Sequence, residues 1–314
     1  MENLNKVPTV RMFLAAITLG IGIGISPQTS FGTTYVLPHN GSIIGNIQHA
    51  TVMPGDTLAT LGLRHGVGGY EMMEANPGVS FRDPPVGATL IVPSRFILPE
   101  GSRQGIVINI AELRLYYYHP DGVHVSTYPI GVGQEGWDTP LGKNAVVRMR
   151  EKPTWVVPDS IMENHLRHGK VIPKVKPAGP DNPLGEYAIT TGFKNIVIHG
   201  TPDTKEKAVG LRSSHGCIRM RNSDVGDLYK MVKVGTPVEI IHQPVKIGQL
   251  DNKVYLESHV PVSETLTMAD YRDVGSLIKK VTSKAGDKYT IEWQKVDELQ
   301  RNHRGYPEPI GSIF

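Results

Sequence analysis

Cysteine is almost missing from this chain: there is one in 314 residues. A single thiol excludes an intramolecular disulfide, a thioredoxin-like Cys-x-x-Cys pair and any multi-cysteine zinc cluster. What remains is a spectator, an intermolecular bridge or a reactive group. An excess of charge is missing too. Lys and Arg total 33 against 30 Asp and Glu, a net of +3, too balanced to point to nucleic acid. With 39% hydrophobic and 20% charged residues the bulk is an ordinary globular chain rather than a low-complexity one, and its length suggests two or three domains.

The apolar run Met12 to Ile25 is too short to cross a bilayer core, which takes roughly 20 helical residues. Lys6 and Arg11 precede it, and Ser30 and Gly32 follow at −3 and −1 of a small-residue cleavage site. The pattern predicts a cleaved signal peptide over residues 1–32 and an exported chain starting near Thr33, with an uncleaved anchor or a buried helix as the alternative. No cysteine follows the run, which excludes lipid attachment at a mature N-terminal cysteine. Export places Cys217 in oxidising space, where an unpaired thiol is unusual.

Residues 46–94 read as a strand over Ile47 to Met53, a Pro54-Gly55-Asp56 turn, two short helices and a closing strand at Leu90-Ile91-Val92. Asp56 is expected to cap the first helix, which carries Leu58 and Leu61, and Gly66 to Gly69 to break it. The second helix carries Tyr70, Met72 and Met73 and ends at Asn76-Pro77-Gly78. This βααβ order, with its Pro-Gly-Asp-Thr-Leu, Asn-Pro-Gly and Leu-Ile-Val-Pro segments, resembles the LysM carbohydrate-binding module. The resemblance implies binding to N-acetylglucosamine-containing glycan; a packing domain without ligand is the alternative.

From Gly105 the texture is β-rich. Ile106 to Asn109 and Leu113 to Tyr118 suggest a hairpin across Ala111-Glu112, followed by a strand over Val123 to Val132. Thr139-Pro140-Leu141-Gly142 and Asn182-Pro183-Leu184-Gly185 read as turns before strands at Ala145 to Met149 and Tyr187 to Thr190. Between them, segment 152–181 carries Pro153, Pro158, Pro173, Pro177 and Pro180. It is too long for a plain connection, and Trp155 with the helix-compatible Asp159 to Arg167 marks it as an ordered flap. Asn222 is expected to cap a helix running to about Val232, and Val238 to Ile241 to form a strand. Residues 243–314 look like an α/β extension that packs on the main domain and carries no chemistry. It has a strand near Lys253 to Ser258, a helix bearing Tyr271, Val274 and Ile278, and another over Ile291 to Arg301.

The chemistry concentrates in Ile196-Val197-Ile198-His199-Gly200-Thr201 and Ser213-Ser214-His215-Gly216-Cys217-Ile218-Arg219-Met220. An apolar strand delivers His199 at its end, and Cys217 follows in a glycine-containing bend. Only the thiolate attacks, so a histidine within reach is needed to take the thiol proton and hand it to a leaving amine. Gly216 lets backbone N–H groups approach an oxyanion.

These two segments are similar to the active-site signature of the L,D-transpeptidases, the YkuD-type catalytic domain of bacterial cell-wall enzymes, with the similarity spanning 104–242. The resemblance implies a mainly β, α+β fold with a mixed sheet, Cys217 as nucleophile and His199 as general base and acid. It implies support of the site or the substrate by His215, Gly216, Ser214, Arg219 and Gly200, and no metal or organic cofactor. The implied substrate is the peptidoglycan of the periplasm. Cys217 would form an acyl-enzyme with meso-diaminopimelate of a tetrapeptide stem and release D-alanine. An amine would resolve it, either diaminopimelate in a 3→3 crosslink or the lysine of an outer-membrane lipoprotein; water would make the enzyme a carboxypeptidase.

Rival readings are a zinc site on His199, His215 and Cys217, a sortase-like enzyme, and a non-catalytic wall-binding protein. A papain-like order is disfavoured because there the cysteine precedes the histidine. Arg219 and Arg212 are candidates for a substrate carboxylate. Lys170, Lys174 and Lys176 read as a solvated face or a contact for an acidic glycopeptide. His165 and His168 read as solvated, and Tyr116, Tyr117 and Tyr118 as strand packing with one exposed face.

Overall fold

A computed structural model of the chain describes residues 32–261, 273–283 and 288–314. The expected signal segment lies outside these residues apart from Gly32, and so does Tyr271.

The β-rich half forms a nine-stranded sheet. Its centre is the hairpin of Gly105–Asn109 and Arg114–Tyr118, with Ile106 opposite Tyr117. On one side His124–Pro129 and then Thr33–Val36 are added antiparallel. Thr33–Val36 is an edge strand that sequence alone did not mark, and it reaches the catalytic sheet from beyond the other side of the module. On the opposite side the order is Pro237–Ile241, Gly142–Glu151, Tyr187–Thr191, Val197–His199 and Ile218–Arg219. Pro237–Ile241 runs parallel to Gly105–Asn109, and Val197–His199 parallel to Ile218–Arg219, so the sheet is mixed. It also curls: Gly131 and Arg219 exchange backbone hydrogen bonds at 2.8 Å, bringing the last strand back to the chain that leaves His124–Pro129.

Alternation along the central strands explains why both faces are apolar. Ile106, Ile108, Leu115 and Tyr117 point into one core, which they share with Val225 and Leu228. Val107, Tyr116, Tyr118 and Val125 point the other way, into a core shared with Leu58, Leu61, Met72 and Phe96 of the preceding module. All three tyrosines are therefore buried, against the expectation of one exposed face. The solvent face was expected because the module was read as a separate unit, and it is the module that covers it.

That module has the expected strand–helix–helix–strand order. Gln48–Thr51 pairs with Thr89–Val92 around helices α1 (Leu58–Arg64) and α2 (Gly69–Ala75). Asp56 does not cap α1. Thr57 holds the cap position and bonds the Thr60 amide, while the Asp56 carboxylate accepts the Met53 amide and pairs with Arg64. Residues Asp159–Arg167 form α3, as expected, and α4 spans Asn222–Met231. Asn222 is not its cap either. Arg221 occupies that position, and Asn222 Oδ1 accepts the Glu186 amide at 3.0 Å from another part of the chain.

The C-terminal part is a four-stranded sheet of Val245–Leu250, Lys253–Ser258, Glu308–Ile313 and Tyr289–Ile291, covered by α5 (Val274–Thr282) and α6 (Trp293–Asn302). It carries more polar chemistry than its sequence suggested. Lys246 is buried and its Nζ meets Glu112 at 2.6 Å and Glu257 at 2.8 Å. His259 bridges Glu257 and Glu74, each at 2.8 Å. Together with the buried Arg114–Glu71 pair at 2.7 Å, these bonds join module, catalytic sheet and extension. Among the described residues no helix is long and apolar enough to cross a membrane.

Candidate active site

The bend that carries Cys217 is fixed from both sides. Gly216 has φ +96°, a conformation open to glycine, and a Cβ there would come within 3.3 Å of Ile196 Cδ1. Ser214 Oγ donates to the Cys217 carbonyl at 2.6 Å and accepts the Gly216 N–H at 3.1 Å. Gly216 thus serves the shape of the bend, with its own amide bonded inside it. Thr139 Oγ1 donates to the Gly216 carbonyl at 2.9 Å and accepts the Gly133 amide at 3.1 Å. The Thr-Pro-Leu-Gly turn therefore ties the bend to the opposite end of the curled sheet.

His199 ends Val197–His199 and is the register partner of Arg219 on the parallel strand. Its ring is buried, and Nδ1 lies 2.6 Å from the Gly200 carbonyl. A carbonyl can only accept, so Nδ1 carries the proton and the Nε2 lone pair is left as the basic position. Burial pushes the imidazole down to about 4 against the opposing Gly200 bond, with the Arg219 cation adding to the fall. The ring is neutral at physiological pH. Gly200 leaves no room for a side chain, because a Cβ would stand 2.1 Å from Asn222 Oδ1. Asn222, Glu186 and Gly200 thus brace the turn that orients His199.

Cys217 is half-buried, and Sγ donates to the Asn195 carbonyl at 3.4 Å. Burial pushes the thiol above its ordinary value, outweighing the Val197 amide and the Arg219 cation, so the resting group is a thiol. Asn195 sits at φ +61°, in the left-handed region that asparagine tolerates, at the turn before Val197–His199. Sequence reasoning does not single out Asn195, and reads Asn222 only as a helix cap and Thr139 only as a turn residue; the signal for each was an Asn or Thr at a tight turn.

His215 packs its ring edge-on against Trp137, centroids 4.5 Å apart, and burial lowers its basicity, with Arg219 and His165 adding to the effect. Arg219 Nη1 bonds Ser213 Oγ at 3.0 Å. Two clefts meet at Cys217. One, of about 270 Å³, also holds His199, Arg219, Lys176, Lys205 and His165. The other, of about 510 Å³, runs past Trp137, Asp138, Arg150 and Lys194, and His199 does not line it. His165 is thus a wall of the cleft rather than a solvated residue, because α3 turns that face inward. Lys176 joins it, Lys170, Lys174 and His168 stay exposed, and Arg212 lines a separate cavity beside Glu71 and Glu74.

The flap reaches over both clefts. Trp155 and Ile161 line each of them. Asn182, buried at the flap's base, donates to the carbonyls of Pro153 at 2.8 Å and Pro177 at 2.9 Å, and accepts the Leu184 amide. Among the described residues, one group of three His, Cys, Asp or Glu side chains has its ligand atoms within 4.8 Å of one another: Glu112, Glu257 and His259. Lys246 fills it. His199, His215 and Cys217 do not form such a group, which disfavours the zinc reading.

A family model described as the L,D-transpeptidase catalytic domain matches residues 103–240, and one described as the LysM domain matches 50–93. A relative from Escherichia coli (strain K12), described as probable L,D-transpeptidase ErfK/SrfK, is 44% identical over 295 residues, covering 91% of this chain and 93% of its own. A second from the same strain, probable L,D-transpeptidase YbiS, is 39% identical over 288 residues, covering 89% and 92%. A third, probable L,D-transpeptidase YcfS, is 39% identical over 261 residues, covering 81% and 79%.

Proposed function

Because the chain belongs to the L,D-transpeptidase family and carries a LysM domain ahead of its catalytic domain, we propose that it is exported to the periplasm. There it exchanges an amine on peptidoglycan stem peptides through a thioester on Cys217. The observation that carries this reading is the placement of Cys217 and a neutral His199, its Nε2 lone pair unprotonated, in the wall of one cleft.

His199 takes the Cys217 proton as Sγ attacks the carbonyl at the L-centre of meso-diaminopimelate. The Cys217 N–H, the next amide along the bend after the internally bonded Gly216 N–H, is the candidate donor to the tetrahedral oxyanion. Collapse breaks the C–N bond, His199 protonates the departing D-alanine, and an acyl-enzyme remains. An incoming amine, from diaminopimelate or from a lysine of a lipoprotein, attacks the thioester carbonyl and gives its proton to His199; the new C–N bond forms, the C–S bond breaks, and His199 returns the proton to the departing Sγ. The flap, clamped at its base by Asn182, keeps water from the thioester. The LysM domain holds the enzyme on glycan.

Intact-protein mass after incubation with tetrapeptide stems or a carbapenem tests the mechanism. Wild type gains one covalent adduct and Cys217→Ala gains none; an unmodified wild type refutes the acyl-enzyme. Muropeptides from cells lacking or overproducing the protein distinguish 3→3 crosslinks from anchored lipoprotein, and a change in neither refutes both acceptors.

A further inference from the structure

The two clefts at Cys217 differ in a way that bears on which part of the substrate enters each. His199 and three cations, Lys176, Lys205 and Arg219, line one of them, with Asp181 the acid in the same wall. The wider cleft lacks His199. Among the described residues none of those three cations is held in an ion pair with a carboxylate. Lys176 comes from the flap, at the end of the short strand Val175–Lys176, and Lys205 from the 3-10 helix Asp203–Ala208. Lys205 is exposed and Lys176 half-buried, so their ammonium groups are free to meet a ligand.

An acyl transfer brings one nitrogen out and another in at the same carbonyl, and one base must reach both. The group that leaves must therefore depart on the His199 side, and the acyl stem must lie in the wider cleft. In the balanced step, the Cys217 Sγ–carbonyl bond forms and the bond from that carbonyl to the D-alanine nitrogen breaks. The thiol proton passes through His199 to that nitrogen, and D-alanine leaves as an amine with its carboxylate intact. That carboxylate sits on the carbon bearing the leaving nitrogen, so it is carried into the cationic cleft.

We propose that Lys205 and Lys176, both lining the cleft that holds His199, receive the carboxylate of the departing D-amino acid, and are the residues that select a stem with a free C-terminal carboxylate. This assignment rests on the transpeptidase reading and adds to it the orientation of the substrate. Two charge-assisted contacts to one carboxylate, one of them from an exposed lysine, are expected to give together a preference of about tenfold.

The test uses the full-length protein and two tetrapeptides, one ending in D-alanine and one in D-alaninamide. Wild type should show a kcat/KM at least about tenfold higher for the acid, mostly through KM. The acid-to-amide ratio should collapse toward one in the Lys176→Gln/Lys205→Gln double variant and be largely restored in Lys176→Arg/Lys205→Arg. A wild-type ratio near one, or a ratio kept by the glutamine variant, overturns the carboxylate assignment while leaving the transpeptidase intact. Failure of wild type to release either amine overturns the transpeptidase reading and this assignment with it.

Discussion

Asn182 Nδ2 donates to the Pro153 carbonyl at 2.8 Å, and the same nitrogen reaches the Pro177 carbonyl at 2.9 Å. One buried amide thus closes the base of a segment that contributes Trp155 and Ile161 to both clefts. Asn182→Ala leaves the carbonyls of Pro153, Lys176 and Pro177 and the Leu184 amide without this partner, at about 1–3 kcal/mol for a buried group left unmade. The expected result is a flap cut faster by protease between Pro153 and Pro177, and a higher ratio of hydrolysis to aminolysis of the acyl-enzyme. An unchanged ratio would remove the flap from the account of water exclusion.

The pairing of a raised thiol with an imidazole at about 4 predicts a neutral resting couple rather than a thiolate–imidazolium pair. Alkylation of Cys217 by iodoacetamide should be slow at pH 7 and keep rising through the ordinary thiol range. The acid limb of kcat/KM should lie near pH 4, where His199 takes up a proton and can no longer act as base. A plateau of alkylation between pH 5 and 7 would show an ion pair and overturn this picture.

Both ring nitrogens of His259 face carboxylate oxygens, Nδ1 toward Glu74 and Nε2 toward Glu257, so the ring must donate twice and be charged. Burial opposes that charge, but Glu74 and Glu257 together outweigh it and raise the imidazole to about 10. A folded value above the unfolded one means stability that is complete below about pH 6.5 and is lost as pH rises through about 10. Tm should fall between pH 7 and pH 10, and His259→Gln should flatten that slope while lowering Tm at pH 7. Parallel slopes in the two proteins would exclude His259 as the titrating group.

Arg221 follows the strand Ile218–Arg219, pairs with the buried Asp224 at 2.9 Å and donates to the Leu63 carbonyl at 3.0 Å. Arg221→Met strands a buried carboxylate, a change that typically costs about 3–5 kcal/mol. Denaturant unfolding should show that loss, and Arg221→Met/Asp224→Leu should recover part of it. A single variant as stable as wild type would mean Asp224 finds another partner.

That Cys217 and His199 share one cleft was legible because acyl transfer demands a Cys and a His in shaped turns, and Gly200 and Gly216 mark those turns in the sequence. The long flap was legible from its prolines and Trp155. What stayed hidden depends on partners distant along the chain. Asp56 and Asn222 are good caps locally, yet one is taken by Arg64 and the other by the Glu186 amide. Tyr116 and Tyr118 read as half-exposed because their covering comes from a domain of different sequence character. Nothing local marks Lys246 as buried; its partner Glu112 is 134 residues away, and periodicity within the extension carries no trace of it.

The docking of the LysM domain sets a geometric condition on where the reaction can occur. Gly68 and Gly210 meet so closely that a Cβ on Gly210 would stand 2.4 Å from the Gly68 Cα, and the Tyr70 amide bonds the Gly210 carbonyl at 3.1 Å. The buried Arg114–Glu71 pair lies at the same junction, so the module and the catalytic sheet are held by both close packing and a buried ion pair. A glycan gripped by such a domain lies at one radius and one bearing from Cys217. On the proposed function, the transpeptidase would act as a caliper on the wall, serving the stems that emerge at its set span and passing over their neighbours on the same strand.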